Sequence, residues 1–141
     1  MDANILIAAY LRDSTVRKIV LFSDMQLLVP EFIFEEFEDH LPDLSRRSGL
    51  AQADSGDLLD RLRGRFATVP QELVTPRLQE AREAMEEVDP KDAACLACAL
   101  CVPSDGIWSD DPHMRRQKLV ACFTTKELLR KLQREGFPAL P

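Results

Sequence analysis

The sequence predicts a single α/β domain in which short parallel strands pack between helices, and three observations predict it. Three brief apolar runs, "MQLLVP" at 25–30, "GIWS" at 106–109 and "LVACFT" at 119–124, have the length of buried strands and end on proline or polar residues. Longer stretches of helical period separate them, and strands that alternate with helices pair in parallel. The chain has 141 residues, 45% hydrophobic and 30% charged, which suits one core that buries about two thirds of the unfolded surface. One feature strains this architecture. The first helix has no strand in front of it, although right-handed βαβ units lead each helix from a strand.

The elements follow in order. "MDANILIAAYL" is a helix over about 3–11, apolar almost all round and therefore buried, with Asp2 placed as its N-cap. A second helix covers about 15–23, with Asp13 and Ser14 as capping candidates. After the strand that Pro30 stops, a helix runs from about Glu31 to Leu41 and ends at Pro42. A polar connection leads to a helix near Asp57–Phe66, and "PQELVTP" at 70–76 is a loop. An amphipathic helix occupies about Leu78–Val88. "DPKDAACLACALC" at 89–101 is a buried helix, with Asp89 as cap and Pro90 at the first position, where a missing N–H costs nothing. "KELLRKLQREG" closes the chain and stops at Gly136.

Charge and composition exclude several classes. A net charge of -6 argues against a protein that grips nucleic acid by excess positive charge alone. Basic residues still cluster locally at Arg46, Arg47, Arg61, Arg63, Arg65, Arg115, Arg116 and Lys118. Most read as solvated helix faces, and Arg115 and Arg116 are the candidates for contact with RNA. No apolar run reaches the roughly 18 residues of a membrane span, and the start lacks the pattern of a signal peptide, so a cytoplasmic protein without membrane contact is expected. Cys95, Cys98, Cys101 and Cys122 lie in apolar segments and read as reduced core thiols.

Carboxylates stand at the edges of these elements. On the helix after Pro30, Glu36 falls about 60° from Ile33 on the Phe32 side, within the apolar sector, while Glu35 falls on the outer face. A glutamate there needs a cation or a hydrogen-bonding network, or else snorkels to water. Asp92 stands in the first turn of a buried helix, and Ser109, Asp110 and Asp111 end a strand at the sheet edge where open α/β folds place their sites. Each acid alone has a capping explanation. If Asp2, Glu36, Asp92 and Asp111 converge, their mutual repulsion calls for a divalent cation, and hard oxygen ligands without histidine favour Mg²⁺ or Mn²⁺. Such an ion holds a phosphate oxygen and activates a water for in-line attack.

These residues resemble the PIN-domain nucleases, the family that includes VapC-like toxins of toxin–antitoxin pairs. The family's Asp-x-Asn is matched by "DAN" (Asp2, Asn4), its proline-led helix with glutamate before an apolar residue by "PEFIFEEF" (Glu36), its third acid by "DAACLACAL" (Asp92), and its Trp-Ser/Thr-x-Asp by "WSDD" (Asp111). The last two motifs are the most specific. The resemblance implies a three-layer PIN-like sandwich around a parallel central sheet, and a Mg²⁺- or Mn²⁺-dependent endoribonuclease. Asp2, Glu36, Asp92 and Asp111 are then catalytic, the three aspartates hold the metal, and Asn4, Ser109 and Asp110 support them. It also implies RNA as substrate, an antitoxin protein as partner and a homodimer. The strand of about five residues that precedes the first aspartate in the family is missing or truncated here, and β-prone codons are expected upstream of Met1.

Competing readings remain. A phosphoreceiver domain also combines acids with a hydroxyl and a lysine, as in "TTK" at 124–126, but its paired acids would follow an early strand. The three cysteines of "CLACALC" lack a tetrahedral set without Cys122. His113 is a turn residue or a phosphate contact, Thr124 and Thr125 are strand-end caps or site-lining groups, and His40 has no partner visible from sequence. The main alternative is a non-catalytic PIN-fold module that binds RNA or a partner chain without a complete metal site.

Overall fold

The computed structural model describes residues 1–12, 14–50, 52–86 and 90–138, with only the backbone of 52 and 53. It is mixed α/β and mostly helical. Helices α1 (Ala3–Leu11) and α2 (Thr15–Phe22) lead to strand β1 (Leu27–Pro30), followed by α3 (Glu31–Asp39), α4 (Leu41–Ser48) and α5 (Gln52–Arg63). Strand β2 (Phe66–Val69) precedes α6 (Gln71–Val74), a 3-10 turn at 75–77 and α7 (Leu78–Ala84). The C-terminal third holds α8 (Pro90–Cys101), β3 (Ile107–Trp108), α9 (Pro112–Arg116), β4 (Cys122–Phe123) and α10 (Thr125–Arg134).

The strands form two parallel pairs. β1 runs beside β2, from Leu27 opposite Phe66 to Pro30 opposite Val69, and β3 runs beside β4, with Ile107 opposite Cys122 and Trp108 opposite Phe123. The first two residues tie the pairs together. The Met1 ammonium donates to Leu28 O at 3.0 Å, and Asp2 N donates to Trp108 O at 3.1 Å. Asp2 is extended, at φ -71 and ψ 147, so one chain width at this point bridges both inner strands. Beside Met1 a groove of about 530 Å³ continues between β1 and β3, with Leu28, Cys95 and Ile107 in its walls.

Helices cover both faces of the strands. Ile107 packs with Met114 and the buried face of α8 on one side, while its neighbour Trp108 packs with Leu6, Tyr10, Leu128 and Leu132 on the other. Adjacent strand residues point to opposite faces, so β3 is the middle layer of three. Arginines stitch helix ends to this frame. Arg17 donates to Ala9 O and Tyr10 O at the end of α1, and Arg65 donates to Val20 O, Ser23 O and Met25 O after α2. Arg65 is thus a structural tie and not a solvated face residue. At Gly106, φ is +151 and a Cβ would lie 2.7 Å from Ala121 O, so the turn into β3 requires glycine.

Several elements differ from the sequence expectation. The segment near Phe66 is strand β2 and not a helix end, and α5 stops at Arg63. Pro42 does not end the helical region. It sits in the first turn of α4, where its missing N–H has no intrahelical partner to lose. "PQELVTP" is helical rather than a loop, and α9 forms after Asp111. α7 ends at Ala84, short of the expected Val88, and α10 ends at Arg134. The caps proposed at Asp13 and Asp89, like Val88, lie outside the described residues; Ser14 caps α2, accepting from Arg17 N.

Candidate active site

Asp2 is 4% exposed, and two different elements hold its carboxylate. Oδ1 accepts from Asn4 N at 3.2 Å, the N-cap bond of α1, and Oδ2 accepts from Ser109 Oγ at 2.6 Å. Ser109 is fully buried, fixed at the end of β3 by its own N–H on Phe123 O at 3.0 Å. The same Oγ accepts from Asp111 N at 3.1 Å. One buried hydroxyl therefore joins the start of the chain to the residue that opens α9. Asp111 is partly buried and caps α9, with Oδ1 accepting from His113 N at 2.9 Å.

Asp110 turns elsewhere. Its Oδ1 accepts from Thr125 N at 2.7 Å and its Oδ2 from Thr125 Oγ1 at 2.6 Å, while Trp108 Nε1 bonds the same hydroxyl at 2.9 Å. Asp110 thus anchors the start of α10, and the two neighbouring aspartates serve different helices. Asn4 meets Asp2 through its backbone; its side chain is exposed.

Asp92, 8% exposed, lies in the first turn of α8, where the helix dipole favours a carboxylate. One turn later sits the buried thiol of Cys95. Burial pushes this thiol up above all; the Met1 ammonium opposes that, and the Asp2 and Asp92 charges add to it. Both carboxylates therefore act on one buried atom beside the chain start. Burial likewise pushes Cys98 up to about 12 and Cys122 up to about 11. These thiols stay protonated near neutral pH and are poor metal ligands in that form. On the facing helix, Glu36 Oε2 pairs with Lys91 Nζ at 3.2 Å, while Glu35 is exposed. Sequence reasoning missed Lys91, whose only signal is a cation in "DPKD" beside an acid at a helix start.

A family model described as PIN domain matches residues 1–133. The chain belongs to the PIN-domain family. No curated protein and no solved structure matches it. PIN domains are generally nucleases that act on nucleic acids and typically use divalent metals.

How well this PIN domain suits such an ion is a matter of donors. Each Asp2 oxygen carries one hydrogen bond, so an ionised carboxylate with about four acceptor positions keeps capacity for a cation. Among the described residues, no three His, Cys, Asp or Glu side chains are grouped to cage a metal. The oxygen donors suit a hard ion such as Mg²⁺, which keeps several waters and needs only one or two carboxylates. The expected RNA contacts are less free than the sequence suggests. Arg115 is ion-paired with Glu127, whose carboxyl it holds below the usual range, while Arg116 is exposed.

Proposed function

We propose that this PIN domain is a Mg²⁺- or Mn²⁺-dependent endoribonuclease. The observation that carries the reading is the Ser109 hydroxyl, which donates to the buried Asp2 carboxylate and accepts from the Asp111 backbone. Two acids distant in sequence are thereby referred to one fixed atom. In this reading Asp2, Asp92 and Asp111 hold the metal, directly or through its water. Bound there, the ion supplies charge neutralisation of the phosphate and a more acidic water.

This chain's own residues do the rest. Ser109 keeps Asp2 oriented, and a carboxylate held in one rotamer spends less entropy on binding. Glu36, held by Lys91 from the α8 start, orients the attacking water and takes its proton. The water oxygen forms a bond to phosphorus, the ester P–O bond breaks, the leaving oxygen takes a proton from solvent, and Glu36 returns its proton to solvent. Asp110, spent on Thr125, has no direct part. A cytoplasmic toxin role, with an antitoxin partner and a homodimer, is proposed on the family resemblance alone.

Cleavage of a labelled single-stranded RNA tests this. Activity is expected with Mn²⁺ and not with EDTA. Asp111→Asn should lose at least about a hundredfold while still folded, and Asp110→Asn should keep activity within about tenfold. Metal-independent cleavage, or the reverse order of the two variants, overturns the assignment. Folded protein that binds RNA and never cuts it supports the non-catalytic module, the reading favoured by the lack of a three-carboxylate cage among the described residues.

A further inference from the structure

A second cavity, of about 290 Å³, opens beside Glu36 between α1, α3, α4 and the start of α8. Its size is near the lower end for small-molecule sites, about 300 Å³, and suits one nucleotide-sized group. Ile7, Phe37 and Leu44 supply an apolar floor, and His40, Arg47 and Lys91 stand among its charged and polar lining. His40 stands between α3 and α4 as the N-cap position of α4, Arg47 lies in the last turn of α4, and both line the cavity.

Glu36, Asp43, Arg47 and Lys91 line this cavity with balanced charge, and three of the four are ion-paired. Glu36 is paired with Lys91, and Asp43 is paired with Arg46. The Arg47 guanidinium makes no hydrogen bond or ion pair with another described residue. An apolar floor with one exposed, unpaired guanidinium beside it matches a planar base joined to a phosphate, since guanidinium donors fit phosphate oxygens.

We propose that this cavity is a nucleotide subsite, with a base on Ile7, Phe37 and Leu44 and a phosphate at Arg47, next to the phosphate that is cut at Glu36. The choice of a nucleotide rests on the nuclease reading; the geometry of the cavity does not. It gives His40 and Arg47, which the catalytic account leaves unused, a part in placing the RNA strand.

The test omits both metal and cleavage. In EDTA, adenosine 5′-monophosphate is titrated into the protein and followed by NMR. Shifts are expected at the Ile7 methyl and the His40 ring, and Arg47→Glu should weaken binding about tenfold or more, as loss of a charge-assisted contact does. Arg134→Glu, an exposed charge reversal on α10 and not in the cavity lining, should change affinity by no more than about twofold. Equal binding by the Arg47 variant, or saturation without a shift at Ile7, overturns the subsite. Because no turnover enters the readout, an inactive protein that binds in this way retains the subsite and loses only the nuclease reading.

Discussion

The corner around Ser109 and the cavity around Arg47 are built in opposite ways. At the corner the acids are buried or half-buried, and each carboxylate oxygen described above accepts from a backbone N–H or a hydroxyl group. At the cavity, long side chains of both signs meet with much of their surface in water; Glu36 and Lys91 are 34% and 44% exposed in their side chains. Rigid donors preorganise a centre of developing charge. Mobile charged side chains adapt to a flexible strand, at the entropic cost of ordering them. In the proposed reading the metal-facing acids thus sit at helix starts, while the RNA strand lies along a helix face, with Glu36 at the border of the two.

The largest effect expected from this contrast comes from Ser109→Ala. Asp2 would lose a buried hydrogen bond to a charged group, at a cost of about 2 kcal/mol, and its orientation as well. Activity in Mn²⁺ should fall about 10- to 100-fold, the range for partners behind a metal ligand, with a matching drop in the urea midpoint. Loss of stability with full activity would mean that the hydroxyl only supports the fold.

A smaller effect is expected from Lys91→Gln in the soft region. Its pair with Glu36 is partly exposed, so stability should change by less than about 1 kcal/mol. The contrast predicts a fall in activity of a few fold, smaller than in Ser109→Ala and shared between KM and kcat, because Lys91 both lines the cavity and holds Glu36. A loss of stability equal to that of Ser109→Ala, measured by the same urea midpoint, would erase the distinction between rigid corner and adaptable cavity.

The sequence made the rigid corner more legible than the soft one. Asp2 and Asp111 cap helices, and Asp92 lies in a first turn; short-range rules of capping and dipole find such positions. Glu36 was legible through helix phase, because Ile33 and Phe37 are buried while Glu35 is exposed. Lys91, Arg65 and Arg115 were not, since their partners lie 55, 40 to 45 and 12 residues away and long flexible cations leave no periodic trace. Strand β2 was hidden because Ala67 and Thr68 are exposed, which leaves little alternation to read. Pro42 misled because it is tolerated in a first turn as well as after a last one. Among the described residues, Met1 and Asp2 carry the hydrogen bonds that link the two strand pairs.

The central claim is that Asp2, held by Ser109, faces the metal. Calorimetric titration of the folded protein with Mn²⁺ tests it most directly, using the native chain, Asp2→Asn and Asp110→Asn. The account predicts binding in the micromolar to millimolar range for the native protein, loss of that binding in Asp2→Asn and its retention in Asp110→Asn. Native-like affinity in Asp2→Asn, with circular dichroism showing the fold intact, would contradict it.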